Sequence, residues 1–200
     1  MEPYRAEISS VGHWQPLPVS YAGFAFGAAL AWGFEANHRQ DVARLTSFFA
    51  FDDPGGAAGR LACELGNAYL QPGVALHNGS ALFWILQKEP AEIRAMSGLN
   101  ADALQRALTW LERLPAIESI PFGREADLFR AEFGWVVDAL RHACRRGLWA
   151  LGQSELRPAL AADADRLLAI YRQNWLARNR PGGLPDSLAR LEKMRRGYDD

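Results

Sequence analysis

The stretch Glu125–Leu151, EADLFRAEFGWVVDALRHACRRGLWAL, decides the fold. Leu128, Phe129, Phe133, Val136, Val137, Leu140, Cys144, Leu148 and Leu151 recur three or four positions apart, which is the period of a helix with one buried side. Pro121-Phe122-Gly123 precedes the run and breaks the chain before it. A helix this long needs neighbours to cover it, and the flanking sequence supplies them as further helices.

Upstream, Asn100 stands as an N-cap for Ala101 to Leu114, with Leu104, Leu108 and Leu111 as the stripe. Pro90 to Met96 and Ala81 to Gln87, the latter headed by Ser80, read as two short helices. Ala57 to Leu70 reads as another, with Leu61, Leu65 and Ala68 inward and Gln71-Pro72-Gly73 as its stop. Asp41 heads Val42 to Phe49, where Leu45 and Phe48 or Phe49 are expected on the inner side. Downstream, a helix over Ala159 to Arg178 ends at Arg180-Pro181-Gly182-Gly183. A last one starts at Asp186 or Ser187, holds Leu188 and Leu191 inward, and gives way to a charged, frayed tail from Glu192 to Asp200.

No alternation of period two follows residue 20. The expected fold is therefore all-α, with seven or eight helices in one domain over 20–200 and an irregular arm over 1–19, where Ile8 to Val11 reads as a short strand.

Tyr21 to Phe34 is the most apolar segment, with Gly23, Gly27, Ala28, Ala29, Ala31 and Gly33 among Phe24, Phe26, Leu30 and Trp32. Each helix-interior glycine costs about 1 kcal/mol against alanine, a cost that close backbone approach to a neighbour can offset. The segment is expected to be a buried helix packed on more than one face. It is too short to span a bilayer.

The totals exclude several classes. Lys and Arg number 22 against 23 Asp and Glu, so charge gives no case for nucleic acid or an anionic membrane as partner. Cys63 and Cys144 are isolated, which points to two buried free thiols in a reducing compartment. Residues 1–7 lack a basic region followed by an apolar run, so no signal peptide is expected and the cytoplasm is the expected location. His13, His38, His77 and His142 stand at no recognised metal-ligand spacing, and no metal or cofactor is expected. His142, four residues after Asp138, reads as half of a surface pair.

Glu35, Asp52, Asp53 and Glu64 are the carboxylates a glycosidic acid–base pair would draw on. Asp52-Asp53 before Pro54-Gly55-Gly56 reads as capping and turn chemistry, and Glu35 as a solvated group closing the apolar helix. None makes a convincing pair, so no catalytic residue is assigned.

Gly12-His13-Trp14-Gln15-Pro16-Leu17-Pro18 carries the other candidate site. An imidazole, an indole face and an amide in succession suit a sugar, whose C–H face stacks on the ring while hydroxyls bond the polar groups. Alternatively, Trp14 plugs the helical core while His13 and Gln15 satisfy loop backbone. His13, Trp14 and Gln15 are thus the tentative substrate-binding residues.

The run from Gly12 to Tyr21, continued through Gly23-Phe24-Ala25-Phe26-Gly27-Ala28-Ala29, resembles the end of the catalytic barrel in bacterial family 20-like glycoside hydrolases, which are β-N-acetylhexosaminidase-like. Tyr171-Arg172-Gln173-Asn174-Trp175-Leu176-Ala177-Arg178-Asn179-Arg180-Pro181-Gly182-Gly183-Leu184, with Asp186-Ser187, resembles the close of the helical C-terminal region of the same proteins. Gly66-Asn67-Ala68-Tyr69 and His77-Asn78-Gly79-Ser80 fall between them in order, so the likeness spans about 12–190.

Such enzymes carry an Asp-Glu pair on an earlier barrel strand, for which this chain has no region. Ile8-Ser9-Ser10-Val11 stands where an aromatic-glycine-acid run would be. The resemblance therefore implies a helical accessory region or fragment of a glycosidase, not active alone, whose partner is the barrel and whose possible ligand is a sugar. The other reading is a free-standing helical interaction protein that self-associates through Tyr21–Phe34.

Overall fold

A computed structural model describes residues 17–77 and 79–199, apart from the side chains of Leu17 and Val19. His13, Trp14, Gln15 and the expected strand over Ile8 to Val11 lie outside the described residues.

All regular structure among the described residues is helical, as the apolar spacing requires. There are ten α-helices: α1 Tyr21–Trp32, α2 Phe34–Asn37, α3 Val42–Phe51, α4 Ala57–Gly66, α5 Ala81–Gln87, α6 Pro90–Arg94, α7 Ala101–Glu112, α8 Ala126–Ala150, α9 Arg157–Arg178 and α10 Leu184–Arg196. Four short 3-10 turns, Leu17–Ser20, Ala68–Leu70, Ile117–Ser119 and Ser154–Leu156, join them. The number exceeds the expected seven or eight partly because the backbone turns extended at Gly33 and separates α2 from α1. Asn37 Nδ2 then donates to the carbonyls of Ala29 and Gly33, both at 2.9 Å, and satisfies the end of α1.

The described chain divides into two compact units, 17–67 with 114–134 and 68–113 with 135–199. In the first, α3 and α4 pack closely against each other. Gly59 makes it possible, because a Cβ there would run into the Ala43 carbonyl and lie 2.8 Å from Ser47 N. Phe51, wholly buried, is the centre of an aromatic cluster with Tyr21, Phe122, Phe129 and Phe133 at centroid distances of 5.2 to 5.9 Å.

The inner face of α3 is Val42, Thr46, Ser47 and Phe51. Leu45, Phe48 and Phe49, expected inward, are exposed. The close approach at Gly59 meets α3 at Ala43 and Ser47, where the side chains are small.

In the second unit, Leu104 and Leu111 of α7, Leu148 of α8, and Leu188 and Leu191 of α10 are buried as their spacing predicts, and Leu160 and Leu167 of α9 are buried with them. Asn100 Oδ1 accepts from Ala103 N at 2.9 Å, the expected cap. The tail is better ordered than its charge suggests: α10 starts at Leu184, and both Met194 and Tyr198 are buried.

Candidate functional site

The apolar helix α1 has twelve residues and no charge, yet only Ala22 and Gly23 are buried. The expectation of burial on several faces fails. Trp32 is 94% exposed, and Phe24 and Phe34 are nearly half exposed. Phe49 at 78%, Phe48 at 56% and Leu45 of α3 are exposed as well. Between α1 and α3 runs a groove of about 500 Å³. Tyr21, Phe24, Val42, Leu45 and Phe49 supply its apolar lining, and Thr46, Asn37 and Gln40 its polar part. Thr46 is 3% exposed and its Oγ1 has no hydrogen-bond partner among the described residues.

The four candidate carboxylates do not form a catalytic pair. Glu35 on α2 and Glu64 on α4 are exposed, and Asp52 is exposed with Arg124 Nε 3.7 Å away. Asp53 is buried but fully committed. Its Oδ1 accepts from Gly55 N at 2.9 Å, and its Oδ2 from Ala58 N at 2.8 Å and Ser47 Oγ at 3.2 Å. Burial raises its proton affinity, but the Ala58 and Gly55 amides, the Ser47 hydroxyl and the Ala57 amide outweigh it. The carboxyl titrates below the ordinary aspartate value. A general acid needs the opposite shift. Asp53 is the cap that the turn sequence foretold, binding the start of α4 to the end of α3.

The second unit holds a buried polar cluster that spacing along the chain gave little sign of. His142 is wholly buried, not a surface partner of Asp138, which pairs instead with Arg141 and Arg166. His142 Nε2 lies 2.8 Å from the Tyr198 hydroxyl. Burial, reinforced by the charges of Arg146, Arg145 and Arg166, lowers the imidazole to about 3, so it is neutral at physiological pH.

Arg146, 2% exposed, donates from Nε to Ile85 O and from Nη2 to Lys88 O, both at 2.9 Å. Those carbonyls end α5, so the guanidinium satisfies orphan acceptors and meets the negative end of the helix dipole. The Tyr198 and Trp149 rings flank it at 5.1 and 5.6 Å. Arg94 Nη1 caps α8 in the same way through Ala150 O at 3.1 Å, and Arg157 Nε reaches Tyr198 O at 2.8 Å after α10. The cluster is structural, and its arginines serve helix ends.

Cys144 is a free cysteine. Cys144 is buried, which pushes its thiol up to about 12 and leaves no thiolate for nucleophilic chemistry. Cys63, expected to be buried, is only half-buried. Among the described residues no group of three His, Cys, Asp or Glu side chains could hold a metal ion. No helix among them is long and apolar enough to cross a membrane.

No family model matches the chain, and neither a curated protein nor a solved structure is found similar to it.

Proposed function

We propose that this chain is the helical, non-catalytic accessory region of a β-N-acetylhexosaminidase-like glycosidase, acting by docking its apolar α1–α3 face on a partner. The observation that carries the docking role is the uncharged, exposed helix α1 beside the ring-lined groove. Water-exposed apolar surface is costly, and patches beyond a few hundred Å² mark interaction sites. The resemblance supplies the glycosidase and makes its catalytic barrel the covering surface. The committed hydrogen bonds of Asp53 and the exposure of Glu35, Asp52 and Glu64 support a chain that breaks no glycosidic bond alone.

The test has two parts. The purified chain releases no 4-nitrophenol from its N-acetyl-β-glucosaminide, and turnover lost on changing Glu35, Asp52 or Asp53 overturns the non-catalytic reading. Diluted until it is monomeric, it binds anilinonaphthalene sulfonate with enhanced fluorescence, and Trp32→Glu with Phe49→Glu removes most of that signal. Undiminished fluorescence in the double variant refutes the docking face. Trp14→Ala lowers stability in thermal melts more than it lowers any N-acetylglucosamine affinity by calorimetry. Loss of measurable sugar binding without loss of stability reverses that ranking.

A further inference from the structure

We infer that, by itself, the chain covers this face with a second copy of itself, α1 packing on α1 of the partner about a two-fold axis. The inference rests on the docking reading above and names the occupant that the chain's own surface fits.

Three observations on the helix support it. First, the exposed positions of α1 are Phe24, Ala25, Ala28, Ala31 and Trp32. Their spacing of one, four, seven and eight residues gathers them on one side of a helix, the side a packing partner reads. Three of the five are alanines, which let two helix axes approach to about 8 Å, the near end of the packing range. Second, no residue of α1 is ionisable except Tyr21. A surface without charge is self-complementary, because placing it against its own copy brings no like charges together.

Third, the area is adequate. Phe24, Trp32, Phe34, Leu45, Phe48 and Phe49 together expose on the order of 700 Å². A stable interface takes about 800 Å² from each partner, and the alanines of α1 and the groove walls add to the six rings and side chains. The largest apolar patch on a typical monomer is about 300–600 Å². Phe24 and Trp32 supply about half of that exposure from α1, and Phe34 of α2 with Leu45, Phe48 and Phe49 of α3 supply the rest, so the α1–α3 face as a whole exposes at least as much as such a patch. The rings ranked by exposure place Trp32 as the anchor, and a buried tryptophan is the residue type that dominates interface energy.

Sedimentation equilibrium on the full chain tests this. The expected species has twice the 22.2 kDa of one copy. Trp32→Glu weakens the dimer by about tenfold or more, with the helical circular dichroism unchanged because the side chain is almost wholly exposed. Phe24→Ser is the second, independent variant should the first misfold. Ala28→Cys in a Cys63→Ser chain forms a copy-to-copy disulfide on mild oxidation, since a two-fold α1 pairing sets position 28 close to its counterpart. A monomer at every concentration, aggregates of no defined size, or a dimer indifferent to both Trp32→Glu and Phe24→Ser overturns the pairing. A monomer whose dye fluorescence still falls in the Trp32→Glu and Phe49→Glu variant overturns the pairing alone and leaves the docking face standing.

Discussion

Trp32 in the first unit is 94% exposed, whereas Arg146 in the second is 2% exposed. Each is the reverse of its residue type's habit, and the two regions reach this inversion by different physics. In the first unit, α3 and α4 approach closely at Gly59, Phe51 of α3 turns inward, and Phe48 and Phe49 of the same helix are exposed. In the second, helix ends leave carbonyls without partners, and the buried Arg146, with Arg94 and Arg157 nearer the surface, supplies the donors. Apolar surface outside is the observation on which the docking proposal rests. Inside the second unit, Arg146 Nε and Nη2 and His142 Nε2 find partners within the unit itself.

The contrast can be broken most severely at the α3–α4 contact. Gly59→Ala places a methyl group against the Ala43 carbonyl, and backbone cannot yield as a side chain can. The expected cost is about 4 kcal/mol or more, the range reserved for overpacking and buried mismatch. Hydrogen exchange should show protection lost across α3 and α4, and a normal denaturation midpoint would refute the close approach.

Next in size is Arg146→Met. It keeps bulk under Tyr198 but orphans the carbonyls of Ile85 and Lys88, at an expected cost of about 2–3 kcal/mol. Urea denaturation measures it. A neutral result would mean that the guanidinium's own desolvation offsets its hydrogen bonds.

Acid sharpens the comparison further. The folded state holds His142 neutral down to about pH 3, while an unfolded imidazole takes up a proton near 6.5. The unfolded state therefore binds more protons below pH 6.5, and this contribution to stability is complete above that value and is lost as the pH falls towards 3. Melts taken from pH 7 to 4 should show the decline, and His142→Gln should flatten it. Asp53 also favours the folded state above its unfolded pKa, but it acts in a more acidic window, below about 3.8.

The smallest effect belongs to Trp32. With its side chain almost wholly in solvent, Trp32→Glu should change the stability of the first unit by less than about 0.5 kcal/mol in denaturation under monomeric conditions. A larger loss would show that the ring is covered within the chain, and the contrast between the units would narrow.

Much of the fold was legible because repeat spacing encodes it. The leucines of α7 and α10, the aromatics of α8, and the caps Asp41 and Asn100 declare helices and their inner sides without any knowledge of neighbours. The failures were of a different kind. Leu45, Phe48 and Phe49 lie at positions where periodicity allows either side to be inward. His142 and Arg146 sit on α8 four residues apart, as a solvated pair would, and only Tyr198, far along the chain, closes over them. Of the candidate site, the capping role of Asp53 was readable from Asp-Pro-Gly-Gly, whereas the groove between α1 and α3 was not.

By itself the sequence determined the all-helical class, most helix boundaries and the capping role of Asp53, because these depend on residue type and short-range spacing. Tertiary structure decided which face of α3 looks inward, that α1 is left uncovered, and that an arginine and a histidine are buried together. Those outcomes depend on how closely two backbones approach and which distant groups meet, and neither quantity is written in the local pattern.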